Sequence, residues 1–249
     1  MTQLLQTLRN AIYTVVVALW VLIATIVLGS TVIVTAFFSE KGNGPHLIAR
    51  AWARSILWIS RVKVELKGLD NLPLDAPCVL MPIHQSNFDI PVLLGRLPIQ
   101  FRWLAKAELF KIPIFGRGMR GCGYISIDRS NRKSAFRSLA DAAQRIRDGA
   151  SVLIFPEGTR SRDGEIGAFK KGGFVLTVDA GVPIVPIIIY GTRAIMPKGS
   201  FLLKPGDAYM EILPPIASSG YTRETKDQLI MDIRETLLTA FDRVREKQP

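Results

Sequence analysis

Between Ala11 and Phe38 the chain runs for 28 residues without a charge, and no other feature limits its fold so strongly. A helix of that length, at ~1.5 Å per residue, would reach roughly 42 Å. The hydrocarbon core of a bilayer is ~30 Å thick. The run therefore predicts an N-terminal membrane helix, which either spans with tilt or breaks near Gly29-Ser30 and dips back. A signal peptide would carry an apolar region of only about 7–15 residues. A buried core helix is the weaker reading, because a run of this length would be apolar on every face.

A second helix is predicted from Pro45 to Ser60. Arg50, Arg54 and Arg61 fall on one side of it, and Ile48, Trp52, Ile56 and Ile59 on the other. Such an amphipathic segment lies in a membrane interface or packs on its own domain. His46, at its start, has no carboxylate close in sequence and reads as a surface or interfacial residue. Arg9 alone precedes the apolar run, whereas Lys41, Arg50, Arg54 and Arg61 follow it. The positive-inside rule then places the rest of the chain in the cytoplasm. Residues 1–60 thus form the membrane-associating part and 61–249 the domain that follows.

Lys and Arg outnumber Asp and Glu by 32 to 21, a net charge of +11. That excess calls for an anionic partner. With 48% hydrophobic residues and no basic low-complexity tail, the balance favours a membrane surface over a nucleic acid. The two cysteines, Cys78 and Cys122, form no CxxC and give neither a disulfide framework nor a zinc signature. They read as reduced, buried small hydrophobes.

Beyond Arg61 short apolar runs alternate with helical periods. Strands are predicted at Val62–Leu66, Cys78–Met81, Phe101–Leu104, Tyr124–Ile127, Val152–Phe155, Ile184–Ile189 and Tyr209–Leu213. Helices are predicted at Asn87–Leu97, Arg132–Asp148, Lys171–Ala180 and Tyr221–Lys247. This alternation implies an α/β fold, a mostly parallel central sheet flanked by helices.

Two polar clusters follow predicted strands, where α/β folds place their sites. The first is Met81-Pro82-Ile83-His84-Gln85-Ser86-Asn87-Phe88-Asp89. His84 and Asp89 are five residues apart, ~140° on a continuous helix, and would not meet there. A turn at Gln85-Ser86 with a helix opening at Asn87 lets the carboxylate fold back onto the imidazole. The pair then resembles a catalytic triad without its serine, with the nucleophile supplied by a substrate hydroxyl. Taken alone, the spacing also fits a buried histidine beside a helix-capping aspartate. The second cluster is Phe155-Pro156-Glu157-Gly158-Thr159-Arg160-Ser161-Arg162. It offers a tight turn, a glycine that admits a ligand to the backbone, and arginines suited to phosphate. Lys170 and Lys171 follow.

A strand ending in a charged pair, Gly123-Tyr124-Ile125-Ser126-Ile127-Asp128-Arg129, and the apolar Val182-Pro183-Ile184-Val185-Pro186-Ile187 complete an ordered set of four motifs. The set resembles the glycerolipid acyltransferases from about Val62 to Tyr190. Ile83 departs from the Asn that many members carry before the motif histidine. The resemblance implies His84 as general base and Asp89 as its orienter. It places Glu157, Gly158, Thr159 and Arg160 at the acceptor site, with Arg160 on a phosphate. Arg129 and Lys106 are further phosphate contacts by the same likeness. It implies no metal and no cofactor beyond a co-substrate, acyl-CoA or acyl carrier protein. It further implies lysophosphatidic acid as the acceptor and the cytoplasmic face of a bacterial inner membrane as the location. Glycerol-3-phosphate, a lyso-ornithine lipid or another lysophospholipid are alternative acceptors. A non-catalytic membrane-surface binder of the same fold is the rival from outside enzymology.

Overall fold

The computed structural model describes residues 2–128 and 130–247. Eight α-helices and seven strands follow one another along the described chain: α1 (Thr2–Ala36), α2 (Asn43–Ile59), β1 (Val64–Lys67), β2 (Val79–Pro82), α3 (Asp89–Arg96), β3 (Phe101–Lys106), α4 (Phe115–Gly121), β4 (Ile125–Ile127), α5 (Arg132–Arg147), β5 (Ser151–Leu153), α6 (Lys171–Ala180), β6 (Ile184–Tyr190), α7 (Thr192–Ile195), β7 (Ala208–Ile212) and α8 (Lys226–Lys247). Short 3-10 turns at Leu69–Asn71 and Ala107–Lys111 join them.

The strands make one sheet in the order β1-β7-β6-β2-β5-β3-β4. Every pairing is parallel except β6 with β7. The mostly parallel α/β fold read from the sequence is the one observed. β2 is buried along its whole length, as expected of a parallel strand covered on both faces. Its side chains alternate between two cores. Leu80 joins α2 and α3 on one face, and Val79 and Met81 join α5, α6 and α8 on the other. Burying a Val, Leu or Ile side chain contributes about 1.5–3 kcal/mol, so β2, β5 and β6 form a fixed base. Because β6, β2, β5 and β3 run parallel, their C-terminal ends share one edge. His84, Phe155, Lys106 and Thr192 all stand there.

α1 is continuous through Gly29 and Ser30, so no break occurs where the sequence allowed one. Helical propensity costs of Gly are small, and packing uses the missing side chain: a Cβ at Gly29 would stand 2.8 Å from Ile114, just before α4, and one at Gly121 would stand 2.9 Å from Ala36. α1 and α2 form an antiparallel hairpin. Tyr13 donates to the Ser60 carbonyl at 2.6 Å, Trp20 Nε1 to Ser55 Oγ at 3.1 Å, and Trp52 Nε1 to Thr25 Oγ1 at 3.0 Å. The outward face of α1 stays exposed and apolar, with Ile12, Val15, Leu19, Leu22 and Ile26 among its residues. It is long and apolar enough to cross a membrane by length and composition. α2 packs between α1 and α3, leaving Leu47 and Trp58 exposed.

His46 corrects the sequence expectation of a surface residue. It is fully buried in the first turn of α2, edge-on to Phe101, with Nδ1 3.0 Å from the Tyr124 hydroxyl. Burial, then the nearby Arg102 and Arg50, hold its pKa down at about 3. Its partners come from β3 and the approach to β4, far along the chain, so local sequence carries no sign of them. Burial likewise raises the Cys78 thiol to about 11 and Cys122 to about 12, which leaves both as inert hydrophobes.

Candidate active site

The chain leaves β2 at Pro82, turns through Gln85-Ser86 and enters α3 at Asp89. This is the turn-then-helix geometry that brings the imidazole and carboxylate together. His84 Nδ1 lies 2.8 Å from Asp89 Oδ2. The same oxygen accepts the backbone amides of Gln85 at 2.7 Å and Ser86 at 2.9 Å. Asp89 Oδ1 accepts the Thr192 hydroxyl at 2.5 Å. Asp89 is fully buried, and these donors compensate the cost of placing a carboxylate there. As an acceptor, the carboxylate fixes the proton on Nδ1 and leaves Nε2 free to take one from a bound group.

The second motif locks this arrangement from the end of β5. Glu157 Oε1 accepts the backbone amide of His84 at 2.9 Å, and Oε2 accepts that of Gly167 at 3.0 Å. The Ser161 amide donates to the His84 carbonyl at 2.8 Å. Phe155 stacks on the imidazole, with ring centroids 3.7 Å apart and 14° between planes, and Trp103 stacks behind it at 5.7 Å. The His84 ring therefore has its plane, tautomer and backbone all set by neighbours. Burial raises the Glu157 pKa, while the His84 and Gly167 amides pull it down. The sequence motif suggests a share of the acceptor site for Glu157. In the structure both of its oxygens are held by amides, and it braces one loop against another.

His84 lines an open cavity of about 1060 Å³ bordered by α1, α2, α3, α4 and β3. Its walls are mainly apolar, with Val17, Trp52, Leu94 and Phe115 among them. Polar groups gather near the strand ends, where Lys106, Thr159 and Arg160 reach it. Gly158 takes φ +72°, a left-handed conformation open to glycine, and so aims the following residues at the cavity. Lys198 Nζ holds that loop through the Arg160 carbonyl at 2.6 Å and Thr159 Oγ1 at 3.0 Å. Lys106 pairs with Glu108 at 3.1 Å, both side chains being well exposed. Arg129 lies outside the described residues.

Two serines near His84 have their hydroxyls engaged. Ser86 Oγ donates to the Met196 carbonyl at 2.7 Å and accepts the Phe88 amide at 3.0 Å. Ser161 Oγ donates to Asp163 at 3.0 Å. An imidazole paired to a carboxylate and facing an apolar cavity suits activation of a hydroxyl brought in by a ligand.

The acyltransferase family model matches residues 63–190, which contain all four motifs. The chain belongs to the acyltransferase family. Among similar proteins is the chloroplastic 1-acyl-sn-glycerol-3-phosphate acyltransferase of Brassica napus, 42% identical over 70% of this chain and 51% of that protein. The chain thus spans about half the length of that plant relative. The 1-acyl-sn-glycerol-3-phosphate acyltransferase of Pseudomonas aeruginosa is 35% identical over 70% of this chain and 69% of its own. Among solved structures, the 1-acyl-sn-glycerophosphate (LPA) acyltransferase of Thermotoga maritima superposes with a TM-score of 0.83 at 26% identity, covering 96% of this chain and 98% of that one. That acyltransferase likeness includes the N-terminal helices as well as the sheet.

Thr192, Lys198 and the stacking of Phe155 on the imidazole do not stand out in the sequence. Thr192 does carry a signal: it follows β6, a strand parallel to β2, at the edge where sites lie. The fourth motif stops at Ile187, before that strand ends.

Proposed function

We propose that the chain transfers a fatty acyl group from a thioester donor, acyl-CoA or acyl carrier protein, to the sn-2 hydroxyl of 1-acylglycerol-3-phosphate. The product is phosphatidic acid, and the work is done at a membrane. The observation that carries this reading is the His84–Asp89 pair on the wall of an apolar cavity, with the family's relatives named for this reaction.

His84 Nε2 takes the proton of the acceptor hydroxyl as its oxygen bonds to the thioester carbonyl carbon. Asp89 stabilises the imidazolium that forms. The tetrahedral intermediate collapses, the carbon–sulfur bond breaks, and the thiolate leaves with the proton returned from Nε2. Ester and thiol are the products, and the imidazole is regenerated. General-base assistance is worth about 10²–10⁴-fold. Holding both substrates in line adds a proximity term. Apolar walls take acyl chain, and Arg160, with Lys106 on the same rim, takes the acceptor's phosphate. A lipid acceptor uses these walls and soluble glycerol-3-phosphate does not, so the lysolipid is favoured. The exposed face of α1 meets the bilayer, which keeps the lysolipid's chain in lipid.

Thioester consumption by the purified chain, measured against a panel of lysolipids and glycerol-3-phosphate with both donors, tests this assignment. Lysophosphatidate should react fastest, and His84→Ala should lower turnover by about 10²-fold or more. A folded His84→Ala protein with near-normal turnover would overturn the mechanism. A faster reaction on another acceptor would overturn the substrate.

A further inference from the structure

Between α7 and β7 the chain crosses the site edge from residue 196 to residue 207 without helix or strand. Its ends are tightly held. The Met196 carbonyl accepts Ser86 Oγ, Lys198 Nζ reaches the Arg160 carbonyl, and the Lys204 amide donates to the Ile195 carbonyl at 3.0 Å. The Leu203 amide donates to Thr14 Oγ1 of α1 at 2.8 Å. This strap therefore bridges the catalytic loop, the phosphate-side loop and the apolar helix.

Three of its residues, Met196, Phe201 and Leu203, line the cavity, and the last two are treated differently. Leu203 is 5% exposed, whereas Phe201 is 86% exposed. A strap pinned on both sides holds a phenyl ring out where burial would contribute about 1.5–3 kcal/mol. Beside it, around Thr14, α1 exposes Ile12, Val15 and Val16. Phe201 thus extends the apolar surface of α1 up to the rim of the cavity. Cations border the same place. Lys204 is exposed on the strap, and Arg61 and Lys63 are exposed after α2. Tyr13 ties the Ser60 carbonyl to α1 next to Thr14, and the Lys63 amide bonds Asp207 Oδ1 at 3.1 Å at the strap's far end. An apolar tip framed by cations matches a bilayer that carries anionic headgroups.

We propose that the strap is a membrane-inserting loop: Phe201 enters an anionic phospholipid bilayer beside α1 and holds the rim of the cavity against the lipid. The inference rests on the reading that α1 meets lipid, and it assigns a second, separate contact to that surface.

Cys78 and Cys122 are 0% and 2% exposed, so a cysteine placed at the strap tip accepts a fluorophore selectively. The full chain carrying Phe201→Cys is labelled and reconstituted with vesicles of phosphatidylcholine and phosphatidylglycerol. Met231→Cys, at a 56% exposed position on α8 behind the sheet, serves as the control site. Flotation first reports whether the chain is on the vesicles. Aqueous iodide should quench the label at 201 several-fold less than at 231, and lipids spin-labelled in the acyl chain should quench it more. Equal iodide quenching at both sites on floated protein overturns the strap insertion while leaving the α1 reading intact. Failure to float overturns both.

Discussion

The Thr192 hydroxyl donates to Asp89 Oδ1 at 2.5 Å from 103 residues further along the chain. It occupies the carboxylate oxygen that His84 does not use. Thr192→Val keeps the shape but leaves a buried carboxyl oxygen without its donor. Hydrogen bonds to charged groups contribute about 1.5–3 kcal/mol, so kcat should fall about tenfold or more. KM for both substrates should stay within about twofold, because Thr192 acts through Asp89. Thr192→Ser should restore most of the rate. Steady-state kinetics of the two variants check this, and a loss in Thr192→Ser as large as in Thr192→Val would remove the hydroxyl from the account.

Glu157 accepts an amide with each oxygen, which a carboxylate can do and a carboxamide cannot. In Glu157→Gln the side-chain NH2 would face the N–H of His84 or of Gly167. One buried donor would be left unmet at a cost of about 1–3 kcal/mol. Both the thermal midpoint and turnover should drop, although a neutral side chain is otherwise easier to bury. A Glu157→Gln protein as stable and active as its parent would show that the brace is dispensable.

Arg160 offers a planar fork and Lys a single point charge. Arg160→Lys should therefore raise KM for lysophosphatidate roughly tenfold, a loss of about 1.4 kcal/mol. The change should be much smaller for an acceptor without the phosphate. The measurement is initial rate against acceptor with donor saturating, and unchanged constants in both Arg160→Lys and Arg160→Ala would reopen the choice of acceptor.

The buried His46 makes stability depend on pH. Its pKa is about 3 in the fold against 6.5 ordinarily, so below 6.5 the unfolded chain binds a proton that the folded chain refuses. Stability should then fall as pH drops from about 6.5 toward 3, by up to about 1.4 kcal/mol per pH unit from this group. Unfolding midpoints of His46→Gln and the parent, compared across that window, isolate the contribution. Parallel pH curves for the two proteins would contradict it.

Periodicity is enough to place the central strands and most helices, because β2, β5 and β6 are apolar runs buried on both faces. α6 begins and ends where its pattern predicts, at Lys171 and Ala180. α4 is invisible to that pattern: its seven residues include three glycines, which helix propensity disfavours, and packing against α1 is what holds it. The same divide runs through the site. His84 and Asp89 are legible because five residues and one turn join them. Thr192, the Glu157 brace and the burial of His46 depend on partners dozens of residues away, and no local pattern encodes such partners. Phe155 is legible as part of a motif, but not as the ring lying flat on the imidazole.

The glycine-mediated crossing of α1 with α4, together with Val17, Val21 and Val32 on the cavity wall, makes the N-terminal helix as much architecture as tether. Exchanging it for an unrelated hydrophobic segment would keep the protein on a membrane and still leave one side of the cavity unwalled. Anyone wanting a water-soluble version should therefore not shorten the chain. The workable route is to repaint the outward positions, such as Ile12, Val15, Leu19 and Ile26, with polar residues and leave the inward ones untouched.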